Sequence, residues 1–192
     1  MSVLYEVRER IAFISFNRPE KHNALRDEDI ASLVDALRRL DDDDDADVAI
    51  LFGQGRSFSS GGDVNDRLQR SMEEGSTSER TTEYAAFTQS TSWKPVIAAV
   101  HGYCLGHALG TALYCDHIVA ATNAVFEVTE IKLGLPTAHF IPRLGRPGFA
   151  TEVAMTGRRF TAEEAYEAGI VARLVDERAH LVSAEELARE LL

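Results

Sequence analysis

The chain has 192 residues, enough for one domain that buries most of its apolar surface, and its 45% apolar and 27% charged residues are ordinary for a globular protein. A net charge of −11 argues against sequence-independent nucleic-acid binding, which needs a basic stripe to displace counterions. No run approaches the ~18 apolar residues that a membrane-spanning helix requires.

The first segment, "MSVLYEVRERIAFISF", spreads charges among its apolar residues and reads as neither a signal peptide nor an anchor. No membrane partner and a cytoplasmic location are therefore expected. Alternating apolar residues over 3–17 predict a β-hairpin turning near Arg8 to Arg10. "NRPEKHNAL" is a loop punctuated by Pro19. Over 26–40, Ile30, Leu33, Val34, Leu37 and Leu40 recur at helical spacing, with acids first and arginines last. "DDDDDAD", residues 41–47, then reads as a solvated loop. A calcium site there would want a turned loop with a glycine, and none is present.

"VAILFG" has the continuous apolar character of a buried strand. The glycine- and serine-rich loop "GQGRSFSSGGDVND" follows. The polar stretch 71–92 is expected to form a mobile loop running into a helix that ends before Trp93. "KPVIAAVHG" is a second buried strand, and "GYCLGHALGTALYCD" starts as a small-residue turn and becomes an apolar helix. Its cysteines, Cys104 and Cys115, are too few for a disulfide framework and suit inert buried thiols. Residues 117–136 give two short strands and a turn into a Gly-Leu-Pro stop. Helices are expected over 149–157 and 161–169, the second opened by a capping box of Thr161 and Glu164. A last strand falls in 170–177 and a last helix in 183–192. Alternating strands and helices, without repeats or a linker, predict an α/β fold in one domain, 1–192, with its core in 1–177.

Several motif searches fail. "GQGRSF" lacks the third glycine of a dinucleotide fingerprint, and there is no Gly-Lys-Ser/Thr phosphate loop. The six histidines and two cysteines show no zinc spacing, so no metal site is expected. Ser59 and Ser60 lack the surroundings of a nucleophile elbow. What remains is two glycine-bearing turns, "SFSSGGD" and "HGYCLGHALG", each placed after a buried strand. Such turns can aim backbone N–H groups at one point, and the second also opens a helix whose N-terminus favours negative charge. Two converging donors would make an oxyanion hole. Equally, the glycines would allow tight strand-to-helix packing, and spacing alone leaves both readings open.

The segments "NRPEKHNAL", "GRSFSSGGDV", "KPVIAAVHGYCLGHALGTALYCDHIVA", "EIKLGLP" and "TGRRFTAEEAYEAGIV" occur in order and at suitable separations. Together they resemble the crotonase, or enoyl-CoA hydratase/isomerase, family over nearly the whole chain. The resemblance implies a spiral of ββα units that binds an acyl-CoA thioester, with coenzyme A part of the substrate and no separate cofactor. It implies oxyanion donors at the backbone N–H groups of Gly62 and His107. Lys21, His22 and Ala24 would border the CoA moiety. Ser60 and Gly61, then Asp63, Val64 and Asn65, would line the substrate loop. A homotrimer or dimer of trimers is the family's usual assembly.

The chain departs from the family pattern in four places. Hydratases of the family usually carry two glutamates. Gly110 stands at the place of the first, and Glu130 matches the second. Hydration needs one group to activate water and another to deliver a proton, whereas a double-bond shift moves one proton along the chain, which a single carboxylate can do. The pattern therefore resembles an isomerase more than a two-acid hydratase. Other superfamily chemistries, hydrolysis or decarboxylation, and a non-catalytic acyl-CoA binder are the alternatives. Glu130 could also be merely an exposed acid in a first helical turn, and Glu127 is its nearby rival. His107 replaces a usual glycine, so its imidazole either packs away or enters the pocket as an acid/base. His139 stands where a glycine-rich turn is usual and would narrow the acyl pocket or add a base. The family usually continues with a further helical segment, whereas this sequence stops after one amphipathic helix.

Overall fold

The computed structural model describes residues 2–63, 92–134 and 141–192. Six strands, β1 (Val3–Arg8), β2 (Ile11–Phe16), β3 (Val48–Gly53), β4 (Val96–Val100), β6 (His117–Ala121) and β9 (Arg173–Val175), form the main sheet in the order β1-β2-β3-β4-β6-β9. The expected hairpin is present, with Glu9 and Arg10 both at positive φ in a two-residue turn. From β2 onward all neighbours run parallel, so each connection must cross over. Helix α1 (Asp27–Asp42) makes the first crossover, and α2 (His107–Tyr114) lies within the one from β4 to β6.

Strand residues alternate between two cores. Ala12, Ile14, Phe16, Ala49, Leu51, Ala98, Val100 and Ala120 join Leu33 and Leu40 of α1 and Leu109 of α2. Ile11, Phe13, Val48, Ile50, Ile97, Ala99 and Val119 face the other way, against Ala184, Leu187 and Ala188 of the last helix, α5 (His180–Leu191). Burial on both faces explains why these strands read as continuous apolar runs. Each large side chain so buried contributes about 1.5–3 kcal/mol.

Two strands escaped the sequence reading. β5 (Tyr103–Leu105) and β8 (Arg159–Thr161) flank β7 (Val125–Glu127) in a separate three-stranded sheet. With three residues each, they are too short to show a period. The turn after β4 therefore runs through β5 before α2 begins at His107. Strands β4 and β5, followed by α2, make one ββα unit split between the two sheets. Strands β6 and β7 and the 3-10 turn Glu130–Leu133 repeat that plan. Helices α3 (Pro147–Thr156) and α4 (Ala162–Glu167) follow as expected, and Thr161 and Glu164 close both bonds of the capping box. Helix α5 begins three residues before the predicted 183. Apart from Ser92, the expected loop and helix over 71–92 lie outside the described residues.

The acidic run is not simply solvated. Helix α1 extends through Asp42, and three of the aspartates act as struts. Asp41 accepts Ser92 Oγ (2.6 Å) and the Trp93 N–H (2.8 Å), Asp43 accepts the Tyr5 hydroxyl (2.9 Å), and Asp47 pairs with Arg10. Both cysteines are free thiols, and burial pushes Cys104 up and Cys115 up to about 12, which keeps them protonated. Among the described residues no helix is long and apolar enough to cross a membrane.

A pair of histidines joins α5 to the sheet. His101, directly after β4, stacks on His180, the first residue of α5, with ring centroids 4.3 Å apart. His101 Nε2 donates to Gly55 O (3.0 Å) and His180 Nδ1 to Glu177 O (3.2 Å). The opposite nitrogens, His101 Nδ1 and His180 Nε2, are buried without a hydrogen-bond partner, so both rings fit as neutral imidazoles. Burial, and then repulsion from His101, lowers His180 to about 4. The unfolded state therefore takes up a proton first. Stability is full above pH 6.5 and falls as the pH drops towards 4. We expect a loss of about 2 kcal/mol across that window, allowing for partial screening. Denaturant melts at pH 7 and pH 4.5 would measure it, and His180→Phe should flatten the dependence.

Candidate active site

Three loops leave the carboxyl ends of adjacent parallel strands, where open α/β sheets bind ligands. Residues 17–25 follow β2, 54–63 follow β3 and 101–106 follow β4. They are stitched together by main-chain bonds. Ser60 N–H donates to His22 O (2.9 Å), Leu25 N–H to Gly61 O (2.8 Å) and Asp63 N–H to Leu25 O (2.8 Å). On the other side, Phe58 N–H donates to His101 O (2.7 Å), Ser59 N–H to Tyr103 O (2.8 Å) and Leu105 N–H to Ser59 O (3.2 Å).

Asn23 lies within the "KHNA" segment expected to border the CoA moiety, and its part in holding the loops was not read from the sequence. It is buried at positive φ (54°), and its amide nitrogen donates to Gln54 O (2.9 Å), Ser57 O (2.8 Å) and Phe58 O (3.2 Å). Its amide oxygen accepts the Arg18 N–H (2.9 Å) and its carbonyl the Ser59 hydroxyl (2.7 Å). One side chain thus holds the first loop against the second. The available signal was a lone asparagine inside "KHNAL", since asparagine tolerates the left-handed region.

The two expected donors come from adjoining segments. Leu25 and Gly62 form a parallel bridge whose bonds are made by the residues flanking Gly62, so the Gly62 N–H points away from Leu25. Gly61 (φ +88°) abuts the next turn: a Cβ there would lie 2.5 Å from Leu105 O and 3.6 Å from His107 N. His107 opens α2 and its imidazole is buried.

Glu130 approaches the same turn from the other side. It is the first residue of the 3-10 turn and only 6% exposed, which excludes the reading of an exposed surface acid. Gly106 (φ +53°) lies under it. A Cβ on Gly106 would sit 2.2 Å from Thr129 Oγ1 and 3.1 and 3.4 Å from the two Glu130 carboxylate oxygens, so only glycine fits. Thr129 Oγ1 lies 3.4 Å from Glu130 Oε2. The carboxylate therefore rests one residue from His107 N, which in turn neighbours Gly61.

Other expected residues spread along the same rim. Lys21 is exposed at the end of the 3-10 turn Pro19–Lys21, and His22 Nδ1 lies 3.0 Å from Ser57 Oγ. Arg18 donates to Ala24 O (2.7 Å) and pairs with Asp63 (3.4 Å) and Asp29 (3.3 Å). Gly110 is buried in α2, its N–H bonded to Gly106 O (3.0 Å). Val64, Asn65 and His139 lie outside the described residues.

Glu127 faces away from this role. Its carboxylate takes Lys132 Nζ at 2.6 Å and Arg159 Nε at 2.7 Å. Burial raises its proton affinity, but the hydrogen bonds and charges of Lys132 and Arg159 outweigh that and hold it below the usual carboxylate range.

A two-sheet α/β spiral whose glycine turns meet beside the buried Glu130 carboxylate defines a crotonase-type enzyme. The enoyl-CoA hydratase/isomerase family model matches residues 6–192, and the chain belongs to that family, whose enzymes act on acyl-CoA thioesters. It is 35% identical over 181 residues to the (E)-benzylidenesuccinyl-CoA hydratase of Thauera aromatica, covering 92% of this chain and 70% of that protein. It is 32% identical over 197 residues to the 1,2-epoxyphenylacetyl-CoA isomerase of Escherichia coli K12, covering 98% and 75%. The solved enoyl-CoA hydratase of Mycobacterium tuberculosis H37Rv superposes with a TM-score of 0.86 at 36% identity, covering 98% of this chain and 75% of that one.

Proposed function

We propose that the chain shifts a carbon–carbon double bond in an acyl-CoA thioester, using Glu130 as its single proton carrier. The Glu130 carboxylate takes a proton from C2 of a 3-enoyl thioester. The electron pair moves into a dienolate whose charge lies on the thioester oxygen, held by the N–H groups of Gly62 and His107. The same carboxyl group returns the proton at C4, leaving the 2-enoyl isomer. Atoms balance without water or a separate cofactor, since coenzyme A belongs to the substrate. Lys21, His22 and Ala24 border the CoA portion, and 60–63 line the approach. Gly110 leaves the place of a second acid empty of a carboxylate, which favours isomerisation over hydration. A cytoplasmic homotrimer or dimer of trimers is the expected setting.

The observation that carries this reading is the packing of the buried Glu130 carboxylate on Gly106, one residue from His107 N. Product analysis on panels of 2-enoyl- and 3-enoyl-CoA tests it. Conversion of 3-enoyl to 2-enoyl thioesters without water uptake is expected. Faster hydration of the 2-enoyl panel would overturn the isomerase reading. Release of free CoA or carbon dioxide would point to a hydrolase or decarboxylase, and tight binding without turnover to an acyl-CoA binder.

A further inference from the structure

We infer that Glu127 is a positioning residue that sets the separation between the Glu130 carboxylate and the His107 N–H, an inference that rests on the function proposed above. Glu127 ends β7 and is 4% exposed. Its main-chain oxygen accepts the Gly106 N–H at 2.8 Å, which fixes the residue directly before His107. Its side-chain carboxylate meets two cations. Oε1 accepts Lys132 Nζ at 2.6 Å, and Lys132 belongs to the 3-10 turn that Glu130 opens. Oε2 accepts Arg159 Nε at 2.7 Å from the register partner of Glu127 in β8.

The turn needs such a tether. A four-residue 3-10 turn is held by few and poorly aligned backbone bonds, among them Lys132 N–H to Thr129 O (3.1 Å) and Gly134 N–H to Ile131 O (3.2 Å) and to Glu130 O. Bonds within the turn do not fix how far it stands from β5 and α2. Packing of Ile131 and Lys132 on Gly157 seats one side of the turn, and the Lys132–Glu127 pair closes it back onto the strand whose carbonyl also holds Gly106. One residue therefore grips both sides of the gap in which proton transfer and charge stabilisation take place. Arg159 braces the carboxylate from the third strand of the small sheet, so Glu127 itself cannot swing. Displacements of about 1 Å in such a gap are enough to cost ~10²-fold in rate.

The test uses the substrate found in the panel assay and compares Glu127→Gln, Lys132→Gln and Glu130→Gln. Glu127→Gln keeps the size of the side chain but leaves both cations without a counter-charge. Its kcat should fall about 10- to 100-fold while KM stays within about 3-fold, because CoA contacts lie on other loops. Should Glu127→Gln fail to fold, Lys132→Gln cuts the same tether from a half-exposed side chain and should lower kcat several-fold. A folded variant of either kind with kcat within about two-fold of the parent, or with its loss confined to KM, would overturn the inference. Glu130→Gln separates the two ideas. If it turns over like the parent, the proposed function fails. If it is inactive while the tether variants are unaffected, only the positioning role fails.

Discussion

Glu130→Gln should lower turnover by ~10²–10⁴, the usual worth of a general acid–base, while acyl-CoA binding changes little. Glutamine keeps the shape and one hydrogen-bonding oxygen but cannot take a proton. The site is unusually intolerant of other changes at this position, since the carboxylate lies against Gly106 and beside the Thr129 hydroxyl. A longer or branched side chain would press on the turn that carries His107, so glutamine is the informative variant. Turnover and ligand affinity measured on the same preparation would separate loss of chemistry from loss of binding. An unchanged rate would move the proton carrier elsewhere, to His107 or His139. Glu127, already bound by two cations, is the weaker substitute.

Gly62→Pro should abolish measurable turnover, because proline has no N–H to offer the thioester oxygen. Loss of one such donor typically costs ~3–4 kcal/mol of transition-state stabilisation, and proline adds its own bulk to the cleft. The bridge to Leu25 gives the test its resolution. Its two bonds use Gly61 O and Asp63 N–H, not the N–H of Gly62, so proline spares both. His107→Ala is the counterpart. It removes a buried imidazole but leaves the N–H, so most activity should survive in whatever fraction folds. Circular dichroism would confirm the fold in both. An inactive but folded His107→Ala would assign the imidazole a part in the reaction and refute a role confined to its backbone.

Much of this architecture was readable from short-range patterns. The hairpin, α1, the buried strands and the Thr161–Glu164 capping box each declare themselves within a few residues. The two glycine turns could be located, but their meeting could not be derived from spacing, because it depends on the order of β2, β3 and β4 in the sheet. That register brings Gly61 against Leu105. Strands β5 and β8 were missed for want of length. The aspartates of 41–47 looked merely solvated because their partners, Tyr5, Arg10 and Ser92, lie far along the chain. Glu127 and Glu130 could not be told apart by residue type. Their partners distinguish them: Lys132 and Arg159 close on Glu127, while Glu130 turns to Gly106. The His101–His180 stack left no trace in the sequence, since each histidine taken alone is unremarkable.

The oxyanion donors proposed at Gly62 and His107 are main-chain N–H groups, which matters for inheritance. Any substitution except proline transmits a backbone donor intact, so drift in the side chains leaves it in place. A histidine can occupy 107, or a glycine 110, without the donors being lost. What cannot drift freely is the set of positions that hold the loops in register: Asn23 with its three carbonyl acceptors, and Gly61 and Gly106, where a single added carbon would meet its neighbours at 2.5 and 2.2 Å. On the proposed mechanism, a lineage built this way can explore new acyl groups by changing side chains while its means of stabilising charge passes unaltered between generations.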